Sequence, residues 1–145
     1  MCGIAGKVIF GDGDRLDEPL LARMAQALRH RGPDGAGCWT DGRAGLVSTR
    51  LAVLDLSDRG RQPMSSDDGR FRIVFNGEIY NFQRLRAELE QKGHRFRSAT
   101  DTETILRLYQ ESGPDCLDRL RGMFAFAIWD TTERTLFLAR DRMGK

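Results

Sequence analysis

The chain has 145 residues, with 23 basic and 21 acidic side chains, a formal net charge of +2, and 40% apolar and 30% charged residues. Such a length suits one domain, buries roughly two-thirds of the surface its unfolded form exposes, and the apolar content excludes a disordered tail. The longest apolar run, "MFAFAIW", is too short for a membrane span; no basic block marks a nucleic-acid surface, and no charged stretch followed by a long apolar one marks a secretory signal. A cytoplasmic protein with neither nucleic-acid nor membrane partners is the default expectation.

In chain order, "GIAGKVIF" alternates and stops at "GDGD", predicting a first strand. Leu20, Leu21, Met24, Ala25 and Leu28 recur at helical spacing over Glu18 to Leu28, with Asp17 as N-cap and Pro19 near the start. "HRGPDGAG" is too rich in glycine for a regular element. "GCWT" and "GLVSTRLAVLDL" read as two strands joined at "DGRA", and "DRGRQPMSSDDGR" reads as a solvated loop.

"FRIVFN" predicts another strand, ended by a sharp turn at Asn76-Gly77. "YNFQRLRAELEQKG" predicts a helix capped by Asn81 and ended by Gly93, "HRFRS" a short strand, "DTETILRLYQES" a helix with Ile105, Leu106 and Tyr109 on one face, and "PDCLDRLR" a short helix. "GMFAFAIWDTTERTLFLARD" gives two strands around "DTTE", the first apolar on both faces and so central in a sheet. With no repeat and no low-complexity linker, residues 1–145 form one α+β domain. Two mostly antiparallel sheets stacked face to face, with helices outside, satisfy the pattern, as does a simpler α+β sandwich.

Cys2, Cys38 and Cys116 are widely spaced, without a CxxC pair, so neither a disulfide framework nor a zinc site is indicated. Cys38 and Cys116, beside Trp39 and Leu117, read as small buried residues. No set of histidines and carboxylates has metal-ligand spacing, and no metal is expected. His30 is assigned a structural hydrogen bond, and His94 a place at the surface or at a strand start.

Cys2 is different because of its position. Removal of Met1 would leave a residue bearing both a thiol and a free α-amine. Their reference pKa values of about 8.5 and about 7.7 to 8.0 let the amine take the thiol proton near neutral pH, activating sulfur without a histidine. The alternative is an ordinary small residue starting a strand. A thiolate attacking an amide needs donors for the oxyanion, and Asn76-Gly77 offers a side-chain amide beside a backbone N–H, unless "NGE" is only a turn. An amino-acid substrate needs a cation and an anion for its two ends. Arg50 can hold a carboxylate and Asp101 an ammonium, unless Arg50 is an edge-strand surface charge and Asp101 only the N-cap of a helix starting at Thr102.

"MCGIAG", "HRGPDGAG", "STRLAVLDL", "FNGEIYN", "TDTE", "GMFAFAIWD" and "ARDRMG", in that order from end to end, resemble the N-terminal class II glutamine amidotransferase domain of glutamine-hydrolysing asparagine synthetases, within the N-terminal-nucleophile hydrolase superfamily. The resemblance implies a four-layer αββα fold and hydrolysis of glutamine to glutamate and ammonia. It makes Cys2 the nucleophile, Asn76 and Gly77 the oxyanion hole, Arg50 the holder of the α-carboxylate, and Glu78 and Asp101 the holders of the amino end. Pro33-Asp34 after "RG" favours the asparagine synthetase branch over those that feed ammonia to sugar phosphates or phosphoribosyl pyrophosphate.

The sequence departs from that pattern after "RDRMGK", where the family continues with "KPLYY"-like residues and further strands. The fold is therefore expected to be incomplete at its C-terminal side, and the synthetase domain, with its ATP and magnesium, to lie outside the chain. No cofactor is expected in this domain. The resemblance names glutamine as substrate and a C-terminal synthetase domain as partner, leaves room for a homodimer, and gives aspartate as the ammonia acceptor, another carboxylate being the alternative. A non-catalytic amino-acid-binding or regulatory module, or a hydrolase for another amide, are the competing readings.

Overall fold

The computed structural model describes residues 2–11 and 15–144. Removal of Met1 concerns a residue outside that set. Two antiparallel sheets form. In one, β1 (Gly3–Val8), β3 (Ala44–Arg50) and β2 (Gly35–Thr40) lie in the order β1-β3-β2; in the other, β4 (Met64–Ser65), β5 (Phe71–Ile79), β6 (Gly122–Asp130) and β7 (Thr135–Arg140) lie in chain order. Helix α1 (Glu18–Ala27) covers the first sheet, and α2 (Phe82–Gln91) and α3 (Asp101–Ser112) cover the second.

The apolar pattern sets these layers. Leu21 and Ala25, four apart on one face of α1, meet Val47 of β3. The opposite face of that sheet gives Ala44 and Leu46, which pack on Val74, Ala127 and Trp129 of the second sheet. The remaining face of the second sheet, with Ile73, Phe75, Phe124, Phe126 and Ile128, receives Leu85 and Leu89 of α2 and Ile105 and Leu108 of α3. The expected αββα order results, and β6 is internal and buried on both faces. Trp129 Nε1–H donates to Asp41 Oδ2 at 2.8 Å, tying the second sheet to the β2–β3 turn across the sandwich. No helix among the described residues is long and apolar enough to cross a membrane.

Several expectations are corrected. Asn76-Gly77 is not a turn: β5 runs on to Ile79, with Asn76 and Gly77 paired to Ala125 and Phe124 of β6. A Cβ on Gly77 would sit 2.2 Å from Met123 O, and its φ is +153°, so glycine is needed by close strand approach rather than by chain reversal. "LAVLDL" leaves the sheet after Arg50. "HRFRS" forms no strand, because the N–H groups of Arg97 and Ser98, 3.0 and 2.7 Å from the Glu103 carboxylate, are taken by that side chain instead of a ladder.

Asn81 occupies the N-cap position of α2 without capping it. Its Nδ2 donates to Arg119 O at 2.9 Å and its Oδ1 accepts from Arg121 N at 3.0 Å. Cys38 is exposed, not buried, because β2 is an edge strand. The segment read as a solvated loop over 58–70 contains a short 3-10 turn and β4, and buries Gly60, Met64 and Ser66. Cys116 is fully buried as expected, which pushes its thiol up to about 12. His30 Nδ1 lies 3.1 Å from Ala27 O, a structural contact of the kind expected, while His94 lies outside any strand and half-buried near Glu111.

Candidate active site

Cys2 is one of the residues that line a cleft. Cys2 precedes β1, half-buried, and Leu51 N–H donates to its Sγ at 3.4 Å. Arg31 Nε–H holds the Cys2 carbonyl at 3.1 Å, so the glycine-rich loop fixes the backbone of the residue that carries the thiol. That loop is itself pinned to the end of β3: Asp34 N–H donates to Arg50 O at 3.0 Å, and Ala52 N–H donates to Asp34 Oδ2 at 2.8 Å. Gly32 is required at this junction, since a Cβ there would lie 2.4 Å from the Thr49 carbonyl carbon.

A cleft of about 220 Å³ opens beside Cys2, and its wall includes Arg50, Gly77, Glu78 and Asp101. Five sequence-predicted residues thus share one concavity. Arg50 ends β3, the central strand of its sheet, and not an edge strand. Its Nη1 donates to Ser57 O at 2.9 Å and its Nη2 donates to Leu54 O at 3.3 Å and to Asp55 O. Three loop carbonyls therefore fix the plane of the guanidinium. Gly60 leaves room for it, because a Cβ there would stand 2.5 Å from Nη2.

Asn76 is not part of the cleft wall. Strand alternation places its side chain on the same face of β5 as Val74, toward the first sheet, whereas Phe75 faces the helices. Its Oδ1 is buried and meets no hydrogen-bond partner among the described residues. Oδ1 is thus a buried polar atom without a partner on the strand that also carries Gly77, the kind that calls for a functional reason.

Asp101 is the first residue of α3 and is only 5% exposed. The cap of that helix is Thr100, whose hydroxyl accepts from Glu103 N–H at 3.2 Å, so Asp101 is released from capping. Its Oδ2 accepts from Ile79 N–H at 3.0 Å, joining the helix start to the end of β5. Burial, with a smaller contribution from the Glu78 charge, pushes the Asp101 carboxyl above the ordinary carboxylate range. Glu78 is exposed and lines the same cleft, whose wall therefore carries two carboxylates and the Arg50 guanidinium.

Two residues escaped the sequence reading. Gln62 lines the cleft, although its segment looked like solvated loop; the Gly-x-Gln-Pro order at 60–63 carries no chemical signature by itself. Asp55 links the loop around Arg50 to the approach to α3. Its Oδ1 accepts from Ser57 N–H and Oγ–H, and its Oδ2 from Ala99 N–H at 2.8 Å. The Ser57 hydroxyl and Ala99 amide bonds hold the Asp55 carboxyl below its ordinary value.

Known proteins share the sequence and the fold of this chain. The chain is 42% identical over 146 residues to asparagine synthetase [glutamine-hydrolyzing] 3 of Bacillus subtilis, covering 99% of this chain and 24% of the relative. It is 40% identical over 145 residues to asparagine synthetase B [glutamine-hydrolyzing] of Escherichia coli, covering 99% and 26%. The chain thus spans about a quarter of the length of these relatives. A solved glutamine phosphoribosylpyrophosphate amidotransferase of B. subtilis superposes with a TM-score of 0.72 over 99% of this chain and 37% of the other; at 24% identity it shows a shared fold. The glutamine amidotransferase domain family matches residues 1–145 in full, and the chain belongs to that family.

Proposed function

We propose that this domain hydrolyses glutamine to glutamate and ammonia with Cys2 as nucleophile, and delivers the ammonia to a synthetase domain of the kind its relatives' names describe. The observation that carries the reading is the single cleft joining Cys2, Arg50, Gly77, Glu78 and Asp101. With Met1 removed, the α-amine takes the thiol proton and sulfur attacks the side-chain amide carbon. The tetrahedral oxyanion is received by Gly77 N–H and the Asn76 carboxamide. The amine then returns the proton to the leaving nitrogen, ammonia departs, and water cleaves the thioester to release glutamate and regenerate the thiol.

Arg50 receives the glutamine α-carboxylate and Asp101, with Glu78, receives the α-ammonium. Both roles are ground-state binding roles. Aspartate is the proposed acceptor of the ammonia, and ATP with magnesium belongs to the synthetase region, not to this cleft. A domain that only bound an amino acid would have no use for a nucleophile in the same cleft as the groups that hold the two ends of the ligand.

The test is steady-state glutamine hydrolysis by Arg50→Ala and Asp101→Asn. Each removes charge-assisted contacts of roughly 1.5 to 3 kcal/mol, so KM is expected to rise about tenfold to a hundredfold with a smaller change in kcat. Asp101 must be ionised to hold the ammonium. Because its folded-state pKa is raised, glutamine affinity is expected to weaken as pH falls while still above the ordinary carboxylate range, a dependence that Asp101→Asn should flatten. The same raised value means the folded state holds the proton more tightly than the unfolded state, so Asp101 lowers stability as pH rises through that window. Asp101→Asn is therefore expected to gain thermal stability near neutral pH while losing glutamine affinity. Unchanged KM in both variants would overturn the glutamine assignment.

A further inference from the structure

One side of β5 has an unusual set of partners. β4 is only two residues long and pairs with Ile73 and Arg72, so the N–H groups of β5 beyond it lack a neighbouring strand. Alternate residues of an antiparallel strand point their N–H groups the same way. Phe75 N–H is met by Gln62 Oε1 at 2.6 Å, and Ile79 N–H by Asp101 Oδ2 at 3.0 Å. Gly77 lies midway between them, and its N–H is turned to this same side, into the cleft.

Gln62 does more than close one of these positions. Its Nε2–H donates to Thr102 Oγ1 at 3.2 Å, next to Asp101 in α3. Its backbone carbonyl lies against Gly37 of β2, where a Cβ would come within 2.0 Å. A single residue therefore touches the sheet that carries Arg50, the strand that carries Asn76 and Gly77, and the helix that carries Asp101.

Resting on the glutaminase reading above, we propose that Gln62 is a positioning residue for the oxyanion donors, its carboxamide standing in for the missing strand and fixing the direction of Gly77 N–H. Without the Oε1 acceptor, Phe75 N–H must find another partner and β5 can turn about its axis. A displacement of about 1 Å at such a donor can cost on the order of a hundredfold in rate. The effect acts on the transition state, where the oxyanion exists, and not on the ends of the bound amino acid.

The experiment uses the full-length chain with Gln62→Met, which keeps length and removes both polar ends, and Thr102→Val, which releases only the Nε2 tether. For Gln62→Met, kcat for glutamine is expected to fall about 10- to 100-fold while KM stays within about threefold. Thr102→Val is expected to lower kcat less, and to add nothing in the Gln62→Met background, since the two share one contact. Alkylation of Cys2 by iodoacetamide builds no oxyanion and is expected to proceed at the wild-type rate in every variant. A kcat within about twofold of wild type in both single variants, or a loss of iodoacetamide reactivity parallel to the loss of kcat, would overturn the positioning role while leaving the glutaminase reading intact. A wild-type chain that binds but does not hydrolyse glutamine would overturn the parent reading, and this inference with it.

Discussion

Cys2→Ala is expected to abolish glutamine hydrolysis, lowering kcat by about 10⁴-fold or more, while the fold and glutamine binding persist. The reason lies in how little Cys2 contributes to packing. It stands before β1, half-buried, in contact with Leu51 in the cleft wall, and the three buried clusters that hold the layers together do not include it. Removing its sulfur therefore leaves the sandwich intact. Cys2→Ser is expected to fail almost as completely, because a hydroxyl is far harder to deprotonate than a thiol and the α-amine is a weak base for it. Calorimetric titration with glutamine separates the two quantities, since binding depends on Arg50 and Asp101 rather than on sulfur.

The second large effect is at Asn76. Asn76→Ala is expected to lower kcat by about 100- to 1,000-fold with little change in KM, the range found for loss of one oxyanion donor. Folding stability is expected to change little, since the Asn76 Oδ1 that the substitution removes is buried and meets no hydrogen-bond partner among the described residues. That combination distinguishes the site from an ordinary strand position: loss of a satisfied buried amide would destabilise. Paired measurements of kcat and of denaturant unfolding check it, and a variant that is both active and less stable would assign Asn76 to structure.

Much of the layering was legible because it rests on periodicity. The α1 stripe, the α3 span of Asp101–Ser112 and the doubly apolar β6 all follow from residues whose burial is set by the nearest layer. Several of the differences share a cause. Where side chains replace backbone partners, local signals mislead: Glu103 takes the N–H groups of Arg97 and Ser98, Gln62 takes that of Phe75, and Asp101 that of Ile79. Two of the three join positions 13 and 22 residues apart, and none leaves a period to read. Asn76-Gly77 shows the same limit from the other side, since the dipeptide that usually marks a turn is here kept by the close approach of Met123 and Phe124.

The candidate site was more legible than the fold around it. Cys2, Arg50, Gly77 and Asp101 are scattered over about a hundred positions, yet their chemical complementarity to a free amino acid with a side-chain amide singled them out; Glu78 came only with the family resemblance, and all five line one cleft. Gln62 went unread because its contribution is geometric: it touches three elements and offers no charge, nucleophile or conspicuous spacing. Charge complementarity is visible in a string of letters, whereas the tether between two layers is visible only once the layers are placed.

The most direct test of the central claim is mass spectrometry of the mature N-terminus after treatment with an electrophilic glutamine analogue, with and without excess glutamine. Catalysis by Cys2 requires a chain that begins at that residue, a single adduct on it, and protection by glutamine that is lost in Arg50→Ala. A retained Met1, an adduct on the exposed Cys38 with Cys2 unmodified, or labelling that glutamine does not slow would contradict it.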